Sequence, residues 1–240
     1  FNRTFWNPST RKYDRDSQAA NAVALYMGLT TPENRQQVFN NLIADIRSRN
    51  NALTAGDVGY RYVLRALEAG GASDVIYDMN CKYDTPGYGW QLAHGATALT
   101  ESWQAYGFVS NNHFMLGHLM EWLFSGLGGI RQQEDSFGFK HIVIKPEPVG
   151  DVREANASYE SPYGRIVSDW KDNEKEFTIR VEVPANSRAS VYLPSADAGQ
   201  ITESDIRLQD IPGIEYRKEG NKYIVITVGS GIYTFHAKKT

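Results

Sequence analysis

The hydrophobic period changes once along this chain, near residue 135, from the repeat of a helix to the repeat of a strand. Before that point apolar residues recur every three or four positions. After it they recur every second position. A switch of this kind segregates helices packed on helices from sheet packed on sheet. The expected fold is therefore α + β in two domains: a helical part over 1–135 and an antiparallel β-sandwich over 136–240.

The helical part is punctuated by readable ends. SQAANAVALYMGL (17–29) is Ala-rich, and Gly28 predicts its cap. Thr31-Pro32-Glu33 supplies a capping hydroxyl, a first-turn proline and an acid at the positive end of the dipole. Val38, Phe39, Leu42, Ile43 and Ile46 then form one stripe. GYRYVLRALEAGG places Val63, Leu64 and Leu67 on one side and stops at Gly70-Gly71. Asp57 reads as the cap of that helix and Ser73 as the cap of SDVIYDMNC. NHFMLGHLMEWLFSGLGG is apolar on nearly every face and predicts a buried helix, with His118 satisfied in the core. Five or six helices are expected, and no strand.

Beyond residue 136, FKHIVIKPEP alternates and is closed by prolines. EFTIRVEVPANSRASVYLP reads as a hairpin, with Phe177, Ile179, Val181 and Val183 on one face and Ala189, Val191 and Leu193 returning after PANS. Turns at Glu219-Gly220-Asn221 and Gly229-Ser230-Gly231 separate the last strands. In SYESPYGRIVSDW, Tyr159, Tyr163 and Trp170 read as core and corner residues ahead of a sugar-stacking surface.

Composition removes several function classes. A net charge of −3 over 240 residues gives no basic field for nucleic acid or for a membrane surface. No apolar run reaches spanning length, and no secretory leader is read at the start. Cys81 is the single cysteine, so no intrachain disulfide is expected and the compartment stays open. The sequence has no CxxC, HExxH, P-loop, GxGxxG or GxSxG. No metal and no cofactor are expected.

One stretch invites chemistry. GATALTESWQAYGFVSNNH places Glu101 among small and aromatic residues, with Trp103 beside it and His113 twelve positions later. Ala98, Leu99 and Trp103 suggest a half-buried carboxylate, which must be paired or functional. His113 is either a first-turn residue in an Asn111-Asn112 capping cluster or a donor at the mouth of a helical bundle. His94 is a third candidate.

GYGWQLAHGATALTESW followed by SNNHFMLGHLMEWLFSGLGGI resembles the bacterial α-L-rhamnosidases of glycoside hydrolase family 78. DSQAANAVALYMGL and LTAGDVGYRYVLRAL resemble earlier segments of that family. GFKHIVIKPEP and ASYESPYGRIVSDW are similar to the start of its C-terminal sandwich. The resemblance covers nearly the whole chain in the family's order. It implies the C-terminal part of an (α/α)₆ six-hairpin barrel, a β-sandwich, and inverting hydrolysis of terminal α-L-rhamnosides. It implies Glu101 as general base and His113 as a sugar contact, with Trp90 and Trp103 as apolar walls. The family's general acid and its acid-rich sugar-binding segment have no counterpart in these residues. Thr100 stands where many members carry Trp, and GDVGYRY departs from the commoner Gly-Phe-x-Gly-Thr-Pro. A complete barrel needs twelve helices and about half are read here, so self-association through an exposed half-barrel face is expected, and without the general acid the chain alone is expected to be inactive. Two other readings stand beside this one: another sugar chemistry on the same scaffold, and a non-catalytic sugar-binding fragment.

Overall fold

A computed structural model describes residues 1–239. They form two compact units that divide between Trp122 and Leu123. The division falls ahead of the change in period, because Leu123–Leu127 and the strand after it belong with the sandwich.

The first unit opens with α1 (Asn2–Phe5) and a ladder of β1 (Trp6–Asn7) on β2 (Lys12–Tyr13). The sequence showed no strand here, since two residues are too few to display a period. The remaining helices are α2 (Gln18–Tyr26), α3 (Pro32–Ser48), α4 (Asp57–Ala69), α5 (Ser73–Asn80), α6 (Tyr88–Ala93) and α7 (Leu119–Trp122). Ser17 caps α2 by accepting the Ala20 N–H at 3.1 Å. Four helices end in the same closure, in which the second residue past the cap donates back to the third-last carbonyl. The donors and acceptors are Leu29 and Ala24 (2.9 Å), Asn51 and Ile46 (3.0 Å), Ala72 and Leu67 (2.9 Å), and Ala96 and Gln91 (2.9 Å). Val38, Leu42 and Ile46 of α3, Tyr60, Val63, Leu64 and Leu67 of α4, and Val75, Ile76 and Met79 of α5 are buried.

The expected buried helix over 112–129 is not one helix. Phe114–His118 is 3₁₀, α7 follows, and Leu123–Leu127 winds as a π-turn. Gly117 and Gly126 weaken regular winding there. Leu116 and Trp122 are buried, but Phe114 is 83% exposed and Met120 57%. Trp122 Nε1 donates to Ser73 Oγ at 2.9 Å, so Ser73 holds a tryptophan and does not cap α5. His118 is half-buried, outside the core.

The second unit is a two-sheet sandwich. Its strands are β3 (Ile130–Gln132), β4 (His141–Ile144), β5 (Glu154–Ser161), β6 (Gly164–Asp172), β7 (Glu176–Val183) and β8 (Arg188–Leu193). They continue as β9 (Ile201–Glu203), β10 (Ile206–Arg207), β11 (Glu215–Glu219), β12 (Tyr223–Val228) and β13 (Gly231–Lys238). One sheet runs β10-β9-β13-β7-β6-β5 and the other β11-β12-β8-β4-β3. All pairs are antiparallel except β4 with β8, which is parallel. The expected β7–β8 hairpin is corrected: the PANS turn carries the chain from one sheet to the other. The alternating residues of β7 and β8 therefore face each other across the core rather than lying side by side. Trp170 fills that core at 1% exposure and donates from Nε1 to the Leu127 carbonyl at 2.8 Å. Tyr159 and Tyr163 are instead exposed.

Candidate functional site

The site grows from the end of α6. Gly95 takes φ +81°, the left-handed conformation that a residue with a Cβ resists, and turns the chain out of the helix. The loop that follows is tied back by Gln91, whose side chain is buried. Its Nε2 donates to the Ser102 carbonyl at 3.2 Å, and its Oε1 accepts the Thr100 N–H at 3.4 Å. Thr100 is buried and adds a 2.6 Å bond from its hydroxyl to the same Ser102 carbonyl. The residues on either side of Glu101 are thus fixed by groups that cannot be satisfied elsewhere.

The segment from Glu101 to Ser110 is a loop closed at its neck. Glu101 N donates to the Ser110 carbonyl at 2.9 Å, and His113 N donates to the Leu99 carbonyl at 2.8 Å. Ser110 N donates to Glu101 Oε2 at 3.2 Å. These bonds place Glu101 and His113 on the two sides of one neck, although twelve positions separate them. Glu101 is exposed, not half-buried as its apolar neighbours suggested. Leu99, Thr100 and Trp103 pack inward while the carboxylate projects out.

Trp103 does not line an open wall. It is 4% exposed, and its Nε1 donates to the Ala55 carbonyl at 2.7 Å. Tyr60 and Tyr88 meet it edge-on, with ring centroids at 4.9 and 5.2 Å. Tyr88 donates to the Leu116 carbonyl, and burial pushes its hydroxyl up to about 12. This aromatic cluster is a floor beneath the loop. Trp90 is half-buried, stacks on His94 at 4.0 Å, and donates to the Gln104 carbonyl at 3.2 Å.

Asp57 is the residue that sequence reasoning placed wrongly. Gly56 occupies the cap position, and Asp57 is the first residue of α4. Its Oδ2 lies 3.1 Å from His113 Nε2, and its Oδ1 accepts the Val58 N–H at 2.9 Å. The hydrogen bond from His113, followed by the one from Val58, holds the carboxyl below the usual carboxylate range. Tyr106 and Phe108, stacked at 5.3 Å on the loop tip, are exposed and were also missed. The aromatic pair in AYGF was the available signal. Among the described residues, no group of three or more His, Cys, Asp or Glu is placed to hold a metal ion.

The described residues thus combine a helical unit with a two-sheet β-sandwich, the fold class of the known proteins that this chain matches. Residues 1–127 match the model for the bacterial α-L-rhamnosidase six-hairpin glycosidase domain. Residues 129–206 match that for the bacterial α-L-rhamnosidase C-terminal domain. The chain belongs to the bacterial α-L-rhamnosidase family. An α-L-rhamnosidase of Streptomyces avermitilis is 28% identical over 242 residues, which cover 97% of this chain and 22% of that protein. One from Formosa agariphila is 26% identical over 247 residues, covering 99% of this chain and 26% of that protein. The solved α-L-rhamnosidase of Dictyoglumus thermophilum superposes with a TM-score of 0.88 at 32% identity, over 99% of this chain and 27% of that one. The Streptomyces avermitilis enzyme, solved with L-rhamnose, shares the fold at a TM-score of 0.88 and 24% identity, over 99% of this chain and 23% of that one. The chain thus spans about a quarter of the length of these relatives.

Proposed function

We propose that this chain supplies the general base and part of the sugar site of an inverting hydrolase of terminal α-L-rhamnosides. The observation that carries the reading is the loop neck, whose backbone bonds anchor Glu101 and His113 at the base of one loop that also carries the buried Trp103. Glu101 Oε2 is held by the Ser110 N–H, and Oε1 has no partner among the described residues. Oε1 therefore suits a water molecule. The water oxygen attacks the anomeric carbon as its proton passes to Glu101, and the bond to the leaving oxygen breaks. A second carboxyl protonates that oxygen from the opposite side, about 6.5–9.5 Å from the base in inverting enzymes. No residue of this chain is assigned that second role. His113 contacts the sugar, Trp90 offers it an apolar wall, and Trp103 supports both from below.

The test is Glu101→Gln in the complete polypeptide that the reading frame encodes. Turnover of an aryl α-L-rhamnoside should fall by about 10²–10⁴-fold while rhamnose binding survives. Unchanged turnover would remove Glu101 from the mechanism. Faster turnover of another aryl glycoside would change the substrate assignment and leave the base in place.

A further inference from the structure

We propose that Asp57 is a positioning residue that fixes the His113 imidazole with its hydrogen on Nε2, leaving Nδ1 to accept a hydrogen bond from a sugar hydroxyl. This inference rests on the reading of His113 as a sugar contact. Its basis is geometric. An ionised carboxylate only accepts hydrogen bonds, so at 3.1 Å from Asp57 Oδ2 the Nε2 of His113 must be the donor. The Asp57 carboxylate is itself fixed, because Oδ1 is held by the Val58 N–H at the positive end of α4. The His113 backbone is anchored to the Leu99 carbonyl. The ring is therefore restrained from its backbone and from Nε2.

Nδ1 has no hydrogen-bond partner among the described residues. In the neutral ring with hydrogen on Nε2, Nδ1 carries a lone pair. Such a nitrogen selects a donor. It takes a hydroxyl of the sugar and gives nothing to a ring or glycosidic oxygen, which can only accept. The depressed titration of Asp57 agrees with this arrangement, since the hydrogen bond favours its charged form. Asp57 lies 56 residues before His113, so α4 sets the chemistry of the loop that follows α6.

The experiment compares wild type, Asp57→Ala and Asp57→Asn in the complete polypeptide, with Glu101→Gln in parallel. Asp57→Ala is expected to raise KM for an aryl α-L-rhamnoside by about tenfold, the weight of one hydrogen bond, with kcat little changed. Asp57→Asn retains an accepting oxygen and should restore KM toward wild type. Nitrogen-15 spectra of histidine-labelled, ligand-free protein at alkaline pH should show the Nε2–H form for His113 in wild type and a mixture in Asp57→Ala. An unchanged KM in Asp57→Ala, or an Nδ1–H form in wild type, would overturn the proposal. If Glu101→Gln keeps full turnover, Glu101 is not the base, and the KM comparison and the nitrogen spectrum still decide the role of Asp57. Should Asp57→Ala not fold, the wild-type spectrum and the Asn variant decide it.

Discussion

Asp57 links the charge of the site to the stability of the helical unit. Its carboxyl titrates below the usual carboxylate value of about 3.9, with the His113 hydrogen bond as the leading cause. A folded value below the unfolded one stabilises the fold above the unfolded value. That contribution is lost as pH falls through the folded value. Asp57→Asn should therefore melt below wild type at neutral pH, and the two should converge in strong acid. About a third of the Asp57 side chain faces solvent, so water screens the pair. The difference should not exceed about 1 kcal/mol. Thermal melts of both proteins across the acid range check this. At this scale the sequence was partly readable. The candidacy of Glu101 and His113 followed from GATALTESW and SNNH. The pairing of Asp57 with His113 did not, because no local pattern joins residues on different elements. Burial of Trp103 was hidden for the same reason: its cover, Tyr60 and Tyr88, comes from two other helices.

Among the elements, α6 and its loop form one device. Gln91 is buried in the helix and bonds both flanks of Glu101. Gln91→Leu leaves the Thr100 N–H without this partner and weakens the hold on Ser102, at a cost of about 1–3 kcal/mol for the orphaned groups. Amide hydrogen exchange should rise over 100–110, with α3 unaffected. A loop that stays protected would show that the aromatic floor alone holds it. A second tie joins α4 to α7, where Arg61 meets Glu121 through two bonds of 2.9 and 3.0 Å. Both side chains are more than a third exposed, so Glu121→Gln should cost no more than about 1 kcal/mol by denaturant titration. Helix stops were legible because Gly28 and Gly71 act through their own backbones, whereas the caps expected at Asp57 and Ser73 were not found, since both side chains bond partners on distant segments. The broken winding over 114–127 was not legible, because an all-round apolar pattern states that a segment seeks cover and does not state its helical type.

For the molecule as a whole, the helical unit leaves large apolar side chains in solvent. Val58, Leu92, Phe108, Phe114 and Met120 are each more than half exposed. Side chains of that size on one unit favour association. We expect the 240-residue chain by itself to sediment above its monomer mass of 27.0 kDa and to lack rhamnosidase turnover. A clean, active monomer would refute both expectations. The two-part layout was legible in the change of period. The exchange of strands between sheets was not, since alternation names the face a strand buries and not the neighbour it meets. That exchange governs how the sandwich assembles. β4 pairs in parallel with β8, and the chain between them must first lay down β5, β6 and β7 in the other sheet. Loop-closure entropy disfavours forming the β4–β8 pair before that antiparallel meander exists. Substitutions within β5–β7 should accordingly slow refolding, while those at the β4–β8 seam should mainly hasten unfolding. Trp170, the single tryptophan of residues 123–240, reports both rates in stopped-flow fluorescence.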